Sequence, residues 1–214
     1  MRNAMRMGWL LAALLVTACG VNPSNRAGSI PALDQTYTSG DGALSFSYPN
    51  GWVVREETGQ IFLGTSAEAL ADTSGSATAT PGQFVVGIIV FPLDDVTGLS
   101  ADSSPREVLD VFARFISGAS QTAGDPNVPT FGDATDLTIG SRRAARAGGT
   151  SGTDQALLIA LELDTGVYAI LAGGSAPGEL ARFEPTLHAI AATMRYSDGA
   201  PTQPPAQMTE DAGS

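Results

Sequence analysis

Phe84 to Phe91 reads FVVGIIVF, a nearly continuous apolar run rich in β-branched residues. Alternate residues of a strand point to opposite faces, so such a run suits a sheet covered on both sides. It predicts a central strand, and a central strand needs covers. Two helical patterns supply them. Ser104-Pro105-Arg106-Glu107 is a helix start, with a capping serine, proline at the first helical position and glutamate at the third. Val108, Val111, Phe112, Phe115 and Ile116 follow at helical spacing as one apolar stripe. Pro177 to Met194 gives the last helix, with Leu180, Phe183, Leu187, Ile190 and Met194 on one face and a kink expected at Pro185.

The remaining segments read as strands and turns. Ala43 to Tyr48 alternates, with Leu44, Phe46 and Tyr48 on the buried side. Pro49-Asn50-Gly51 turns the chain into strands at Trp52 to Glu56 and Gln60 to Gly64, joined through Thr58-Gly59. Thr65-x-x-Glu68 has the capping-box pattern and predicts a short helix over Thr65 to Leu70. Asp72 to Gly82 and Gln121 to Pro129 read as loops. Ala134 to Ile139, Arg142 to Ala147, Gln155 to Leu163 and Val167 to Ala172 read as strands, with hairpin turns at Gly140-Ser141 and Asp164-Thr165-Gly166. The order predicts an α+β fold: a central, mostly antiparallel β-sheet flanked by helices, in one domain over residues 35–196.

What precedes the domain is an address. Arg2 and Arg6 are followed by Met7 to Ala18, an uncharged and mostly apolar stretch of 12 residues. A membrane-spanning helix needs about 20 apolar residues; this stretch suits the core of a secretory signal peptide. Val16-Thr17-Ala18-Cys19 resembles the bacterial lipobox, in which small residues precede a lipid-accepting cysteine. The resemblance implies a signal peptide over 1–18, cleavage between Ala18 and Cys19, and a lipid anchor on Cys19, so that the membrane is met through that lipid on its extracytoplasmic face. Cys19 is the only cysteine of the chain, which excludes an intrachain disulfide. Residues 19–34 read as a flexible tether and residues 197–214, with three prolines, as a disordered tail.

Charge removes one class of function. The leader carries two arginines; beyond it stand 9 arginines against 22 carboxylates, a formal −13, and no lysine. Such a surface repels nucleic-acid phosphates and anionic headgroups, which argues against nucleic-acid binding.

Catalytic motifs are few. His188 is the only histidine and sits between Leu187 and Ala189 beside the apolar stripe, which favours a structural role. No G-x-S-x-G elbow occurs. Asp164-Thr165-Gly166 imitates an aspartic protease motif, but its position suits a hairpin turn; Asp72-Thr73-Ser74-Gly75 misplaces its glycine. One histidine and one lipidated cysteine do not make a zinc site, and Asp94, Asp95 and Asp102 lack EF-hand spacing. Gly148, Gly149 and Gly152 are placed in a hairpin loop and no lysine completes a phosphate cradle. No catalytic residue, metal or cofactor is expected. Arg142, Arg143 and Arg146 form the only basic cluster; Arg142 and Arg146 share one strand face and Arg143 takes the other. They are candidate partner-binding residues, with pairing to local carboxylates as the other reading.

Tyr37, the SFSYPNGW stretch (Ser45 to Trp52) and the FEPTLHAIAATMRY ending (Phe183 to Tyr196) resemble the PsbP-like family. That family includes extrinsic subunits of photosystem II and many bacterial lipoproteins. The resemblance spans Thr36 to Tyr196 and implies an α/β/α sandwich with non-enzymatic roles; it carries no catalytic set. The resulting expectation is a membrane-anchored module that binds an extracytoplasmic protein partner or stabilises an assembly. The alternatives are a carrier holding a small or apolar ligand between sheet and helix, and a hydrolase using a pair among Asp34, Asp41, Glu56, Glu57 and Asp164.

Overall fold

The computed structural model describes residues 30–57, 59–71, 79–123 and 128–197. The expected signal peptide, with Ala18 and Cys19, most of the expected tether and tail, Thr58, and parts of the two expected loops (residues 72–78 and 124–127) lie outside them. The chain begins with β1 (Gln35–Thr38), β2 (Leu44–Tyr48), β3 (Val53–Glu57), β4 (Gln60–Gly64) and β5 (Phe84–Pro92). A 3-10 turn (Leu93–Asp95) leads to α1 (Pro105–Ala123), β6 (Thr130–Phe131), β7 (Thr135–Ile139), β8 (Arg142–Ser151), β9 (Asp154–Asp164) and β10 (Val167–Ser175). α2 (Leu180–Thr193) and β11 (Arg195–Tyr196) close the domain. All pairings are antiparallel. The large sheet runs β3-β4-β5-β10-β9-β8-β6, with β7 also on β8, and a small sheet runs β1-β2-β11. No helix among the described residues is long and apolar enough to cross a membrane.

The expected central strand is β5, paired to β10 from Phe84↔Ser175 to Val167↔Pro92. Its two faces are covered unequally. Phe84, Val86 and Ile88 are completely buried, packed with Leu44 and Phe46 of the small sheet and with Leu180, Phe183, Leu187, Ile190 and Met194 of α2. Phe84 and Phe183 stack at 5.2 Å. On the other face α1 lies over β8 and β9, where Val108 and Leu109 meet Ala145, Leu158, Ala160 and Tyr168. Val85, Gly87, Ile89 and Phe91 are therefore only half-buried, although Phe91 stacks on Phe112 at 4.7 Å.

The α1 start forms as its sequence dictates. Ser104 N–H donates to Glu107 Oε2 at 2.7 Å and Glu107 N–H donates to Ser104 Oγ at 3.3 Å, so two free helix-end donors are satisfied reciprocally. The stripe needs correction. Leu109, not counted in it, is fully buried, whereas Phe115 is 68% exposed on the outer side. Helical structure also runs to Ala123, past the start of the expected loop.

Three further expectations change. Thr65 to Leu70 is a series of turns, not a helix. Thr65 spends its N–H on the Phe84 carbonyl and its hydroxyl on the Phe84 N–H, so it extends the sheet edge and cannot cap; Ser66 Oγ takes the Ala69 N–H instead. Gly148 and Gly149 belong to β8, not to a loop. A Cβ at Gly149 would overlap the Thr130 carbonyl, so glycine is what lets β6 approach. The last helix starts at Leu180, after a turn with Gly178 at φ +81°; Gln155 Oε1 receives the Leu180 N–H at 3.0 Å.

The small sheet is fixed at both ends of β2. β11 pairs with Leu44 and Ser45, and beyond it Thr193 Oγ1 accepts the Ser47 N–H at 2.9 Å. Leu187→Ala, which empties a fully buried site, is expected to cost about 2–5 kcal/mol. Phe115→Ala should stay within about 1 kcal/mol. Urea unfolding midpoints of the two variants check the contrast.

Candidate functional site

Strand directions divide the molecule into two poles. Chain entry at Gln35 lies beside Tyr48 and the start of β3. The β1–β2 turn, the β3–β4 hairpin, the 3-10 turn and the β9–β10 turn lie at the opposite pole, because Thr38 faces Ser45, Glu57 faces Gln60, and Pro92 and Asp164 both face Val167. That pole carries exposed Asp41, Glu56, Asp94, Asp95, Asp102 and Asp164. The chain also leaves there, since the Ser197 N–H donates to the Ala43 carbonyl.

A cleft of about 170 Å³ opens at this pole between the two sheets. Buried Leu44, Ile61 and Ile88 lie beneath it with half-buried Val90; Pro92, Tyr196 and Phe91, whose ring is turned to Phe112 on the α1 face, border it; Ser39, Asp41 and Glu56 are its polar residues. The turn Ser39 to Ala43 builds the rim. Asp41 Oδ1 accepts the Ser39 hydroxyl at 2.6 Å and the Ala43 N–H at 2.9 Å, and these bonds hold the carboxyl below its ordinary pKa. Glu56 Oε2 accepts the Gly40 N–H at 3.0 Å and the Tyr37 hydroxyl, which ties β1 to β3. Burial, and then Glu56, raise the Tyr37 phenol well above its ordinary value.

Of the five candidate carboxylates, the structure thus brings two, Asp41 and Glu56, into one cleft. Asp34 is exposed before β1, and Glu57 pairs with Arg55 at 2.9 Å. Asp164 turns the β9–β10 hairpin, accepting the Thr165 N–H at 2.7 Å with Gly166 at φ +72°. That geometry accounts for the Asp-Thr-Gly triplet without chemistry. Among the described residues no group of three or more His, Cys, Asp or Glu is arranged to hold a metal ion. The cleft lies between two sheets, not between a sheet and a helix.

The three arginines are separated and each has an internal partner. Arg142 donates to the Met194 carbonyl at 2.5 Å and to the Ala191 carbonyl at 3.4 Å, closing the end of α2. Arg143, on the α1 face, forks onto Glu162 at 2.6 and 2.8 Å. Arg146 meets both oxygens of Glu184 on α2, at 2.6 and 3.1 Å. His188 lies one turn on, 3.7 Å from Glu184 and 31% exposed.

The residues missed by sequence reasoning are Ser39, Phe91 and Tyr196, and the pairing of Tyr37 with Glu56. Only tertiary placement joins them. No protein-family model matches the chain, and neither does any curated protein. Among solved structures it is similar to cyanobacterial PsbP (CyanoP) from Synechocystis sp. PCC 6803, at 14% identity and TM-score 0.48, covering 79% of this chain and 96% of that one. It is also similar to LpqN of Mycobacterium tuberculosis, described as involved in cell envelope biogenesis, at 17% identity and TM-score 0.45, covering 76% and 90%. Neither likeness transfers a residue's role.

Two expectations follow from the ion pairs. Arg143 is 61% exposed in its pair, so Arg143→Ala should cost no more than about 1 kcal/mol. Arg142→Ala removes two carbonyl contacts of α2 and should cost about 1–3 kcal/mol by thermal unfolding. Burial, reinforced by Arg146 and opposed by Glu184, holds the His188 imidazole below its ordinary pKa. The unfolded chain therefore takes up the proton first, and stability from His188 present above about pH 6.5 is lost as pH falls. Unfolding midpoints measured from pH ~5 to ~7.5 should show a shallower acid slope in His188→Gln; an unchanged slope would remove His188 as its source.

Proposed function

We propose that this chain is a lipid-tethered module of the extracytoplasmic membrane face that acts by binding a protein partner, not by catalysis. The lipobox-like Val16 to Cys19 supplies the anchor, and the tether over 20–34 spans up to about 50 Å when extended. The observation that carries the reading is the polarity of the domain. The tether enters at one pole, and six exposed carboxylates, Asp41, Glu56, Asp94, Asp95, Asp102 and Asp164, stand at the other. A module anchored through Cys19 presents that acidic pole to the space beyond the membrane, where complementary charge speeds and orients encounter. Arg142, Arg143 and Arg146, by contrast, pair with groups of the domain itself. The resemblance of Ser45 to Trp52 and Phe183 to Tyr196 to the PsbP-like family points to the same kind of role.

Fractionation of cells expressing wild type and Cys19→Ala tests the anchor. Wild type is expected in the membrane fraction with a lipidated Cys19 peptide, and the substitution is expected to release the chain. Equal membrane association of both would end the tethered reading. Crosslinking with mass spectrometry on the wild type should return a recurring partner with a basic surface.

A further inference from the structure

We propose that the aromatic ladder on the outer flank of α1 is the docking surface for the chain's own C-terminal segment, with Pro201 to Met208 as the docked residues. Phe91, Phe112 and Phe115 run outward in contact, their ring centroids 4.7 Å and 6.5 Å apart. Phe91 and Phe112 are half-buried, and Phe115 ends the ladder at 68% exposure. Among the described residues only Ile30 is another large hydrophobic residue so exposed. One flank of α1 is turned to β6 and β7, since the Ser117 hydroxyl donates to the Pro129 carbonyl and Arg106 meets Asp136. Successive helical residues lie about 100° apart, so Phe115 projects from the other flank, toward the half-covered β4–β5 side. Half-buried Ile89 and Gln60 stand there on the same sheet face as Phe91. The Gln60 amide lies over Gly87 and makes no hydrogen bond among the described residues.

Position and composition single out the occupant. The Ser197 N–H is bonded to the Ala43 carbonyl, and Tyr196 borders the same cleft as Phe91 and Pro92. The segment beyond therefore starts at the end of β5, one sheet thickness from the Phe91 ring. Residues 198–208 reach about 35 Å in the polyproline form, at about 3.1 Å per residue. Packed layers lie about 10 Å apart, so this length rounds the sheet edge and follows the ladder to Phe115. Residues 201–208 read PTQPPAQM. Pro201-x-x-Pro204 is the spacing that aromatic-lined grooves take from polyproline segments, whose form is preset and whose carbonyls are free for a donor such as the Gln60 amide. Met208 adds a sulfur suited to ring edges. These eight residues carry no charge, so they pass the acidic pole without repulsion. Glu210 and Asp211 follow, and residues 198–214 hold no cation. Arg114, beside Phe115, is exposed and makes no ion pair among the described residues, so opposite charges meet at the outer end. The inference rests on neither the lipid anchor nor a partner protein.

NMR of the full chain in detergent, labelled at methionine methyls and phenylalanine rings, tests this. The Met208 methyl is expected to shift upfield and to show cross-relaxation with the Phe112 and Phe115 rings. Ending the chain after Ser197 should move both ring signals, and a peptide of residues 198–214 added back should return them saturably. Phe115→Ala should weaken that peptide by about tenfold, and Pro204→Ser with Pro205→Ser in the peptide by a similar factor. Arg114→Gln should weaken it by about two- to fivefold. Arg106→Gln, on the other flank, should leave binding unchanged, and thermal melts confirm folding of each variant. No contact between Met208 and either ring, ring signals unmoved by the truncation, or equal binding to Phe115→Ala overturns the proposal. Phe115 shifts that grow with protein concentration in the truncated chain would assign the ladder to a second copy, and cross-relaxation with detergent chains in place of Met208 would assign it to a lipid surface; either overturns the tail as its occupant. These readouts do not use Cys19, so a failed anchor and a failed tail contact are told apart.

Discussion

Burial of β10 on both faces is the constraint on which the rest of the structure depends. Tyr168 and Ile170 point into one core, and Ala169 and Leu171 into the other. A strand with no wet face must have its backbone groups paired along both edges, and β5 and β9 do this along its length. The Tyr168 hydroxyl finds the Ser103 carbonyl at 2.9 Å, and burial pushes the phenol up to about 12. Both outer layers exist to cover this strand and its neighbours.

The layers are not equivalent. α2 and the small sheet close one face with large side chains, while α1 meets a face of alanines on β8 and β9. Small residues there allow the helix to lie close, and the β4–β5 side is left half-covered. The cleft lies at the seam of the two sheets, where secondary structure alone does not dictate side-chain packing. Charge is distributed by the same frame. Glu162 and Glu184 are drawn inward to arginines, and the carboxylates on turns remain in solvent.

The sequence was legible wherever one period held over a long segment. The Phe84 to Phe91 run, the capping box at Ser104 and the α2 stripe all became the elements they suggested. Short pieces were not legible. β6 and β11 have two residues each, too few for any alternation, and are strands only because β8 and β2 offer them partners. Thr65 and Glu68 match a helix signal, but the sheet claims Thr65 first. Phe115 fits the helical period and still faces outward, because α1 rests on Val108, Leu109 and Phe112, and Phe115 falls outside that footprint. For the cleft, the carboxylates were visible as residue types; their convergence depends on turns that bring residues 41, 56 and 196 together.

The hydroxyl of Thr193 has a consequence for behaviour in a crowd. An unpaired strand edge is a template for another chain. β11 covers only the first part of β2. Thr193 Oγ1 occupies the next ladder position by accepting the Ser47 N–H, so a side chain does the work of a strand. The edge of β2 beyond β11 is thereby closed by the end of the molecule's own helix, and another chain finds no free donor at that position.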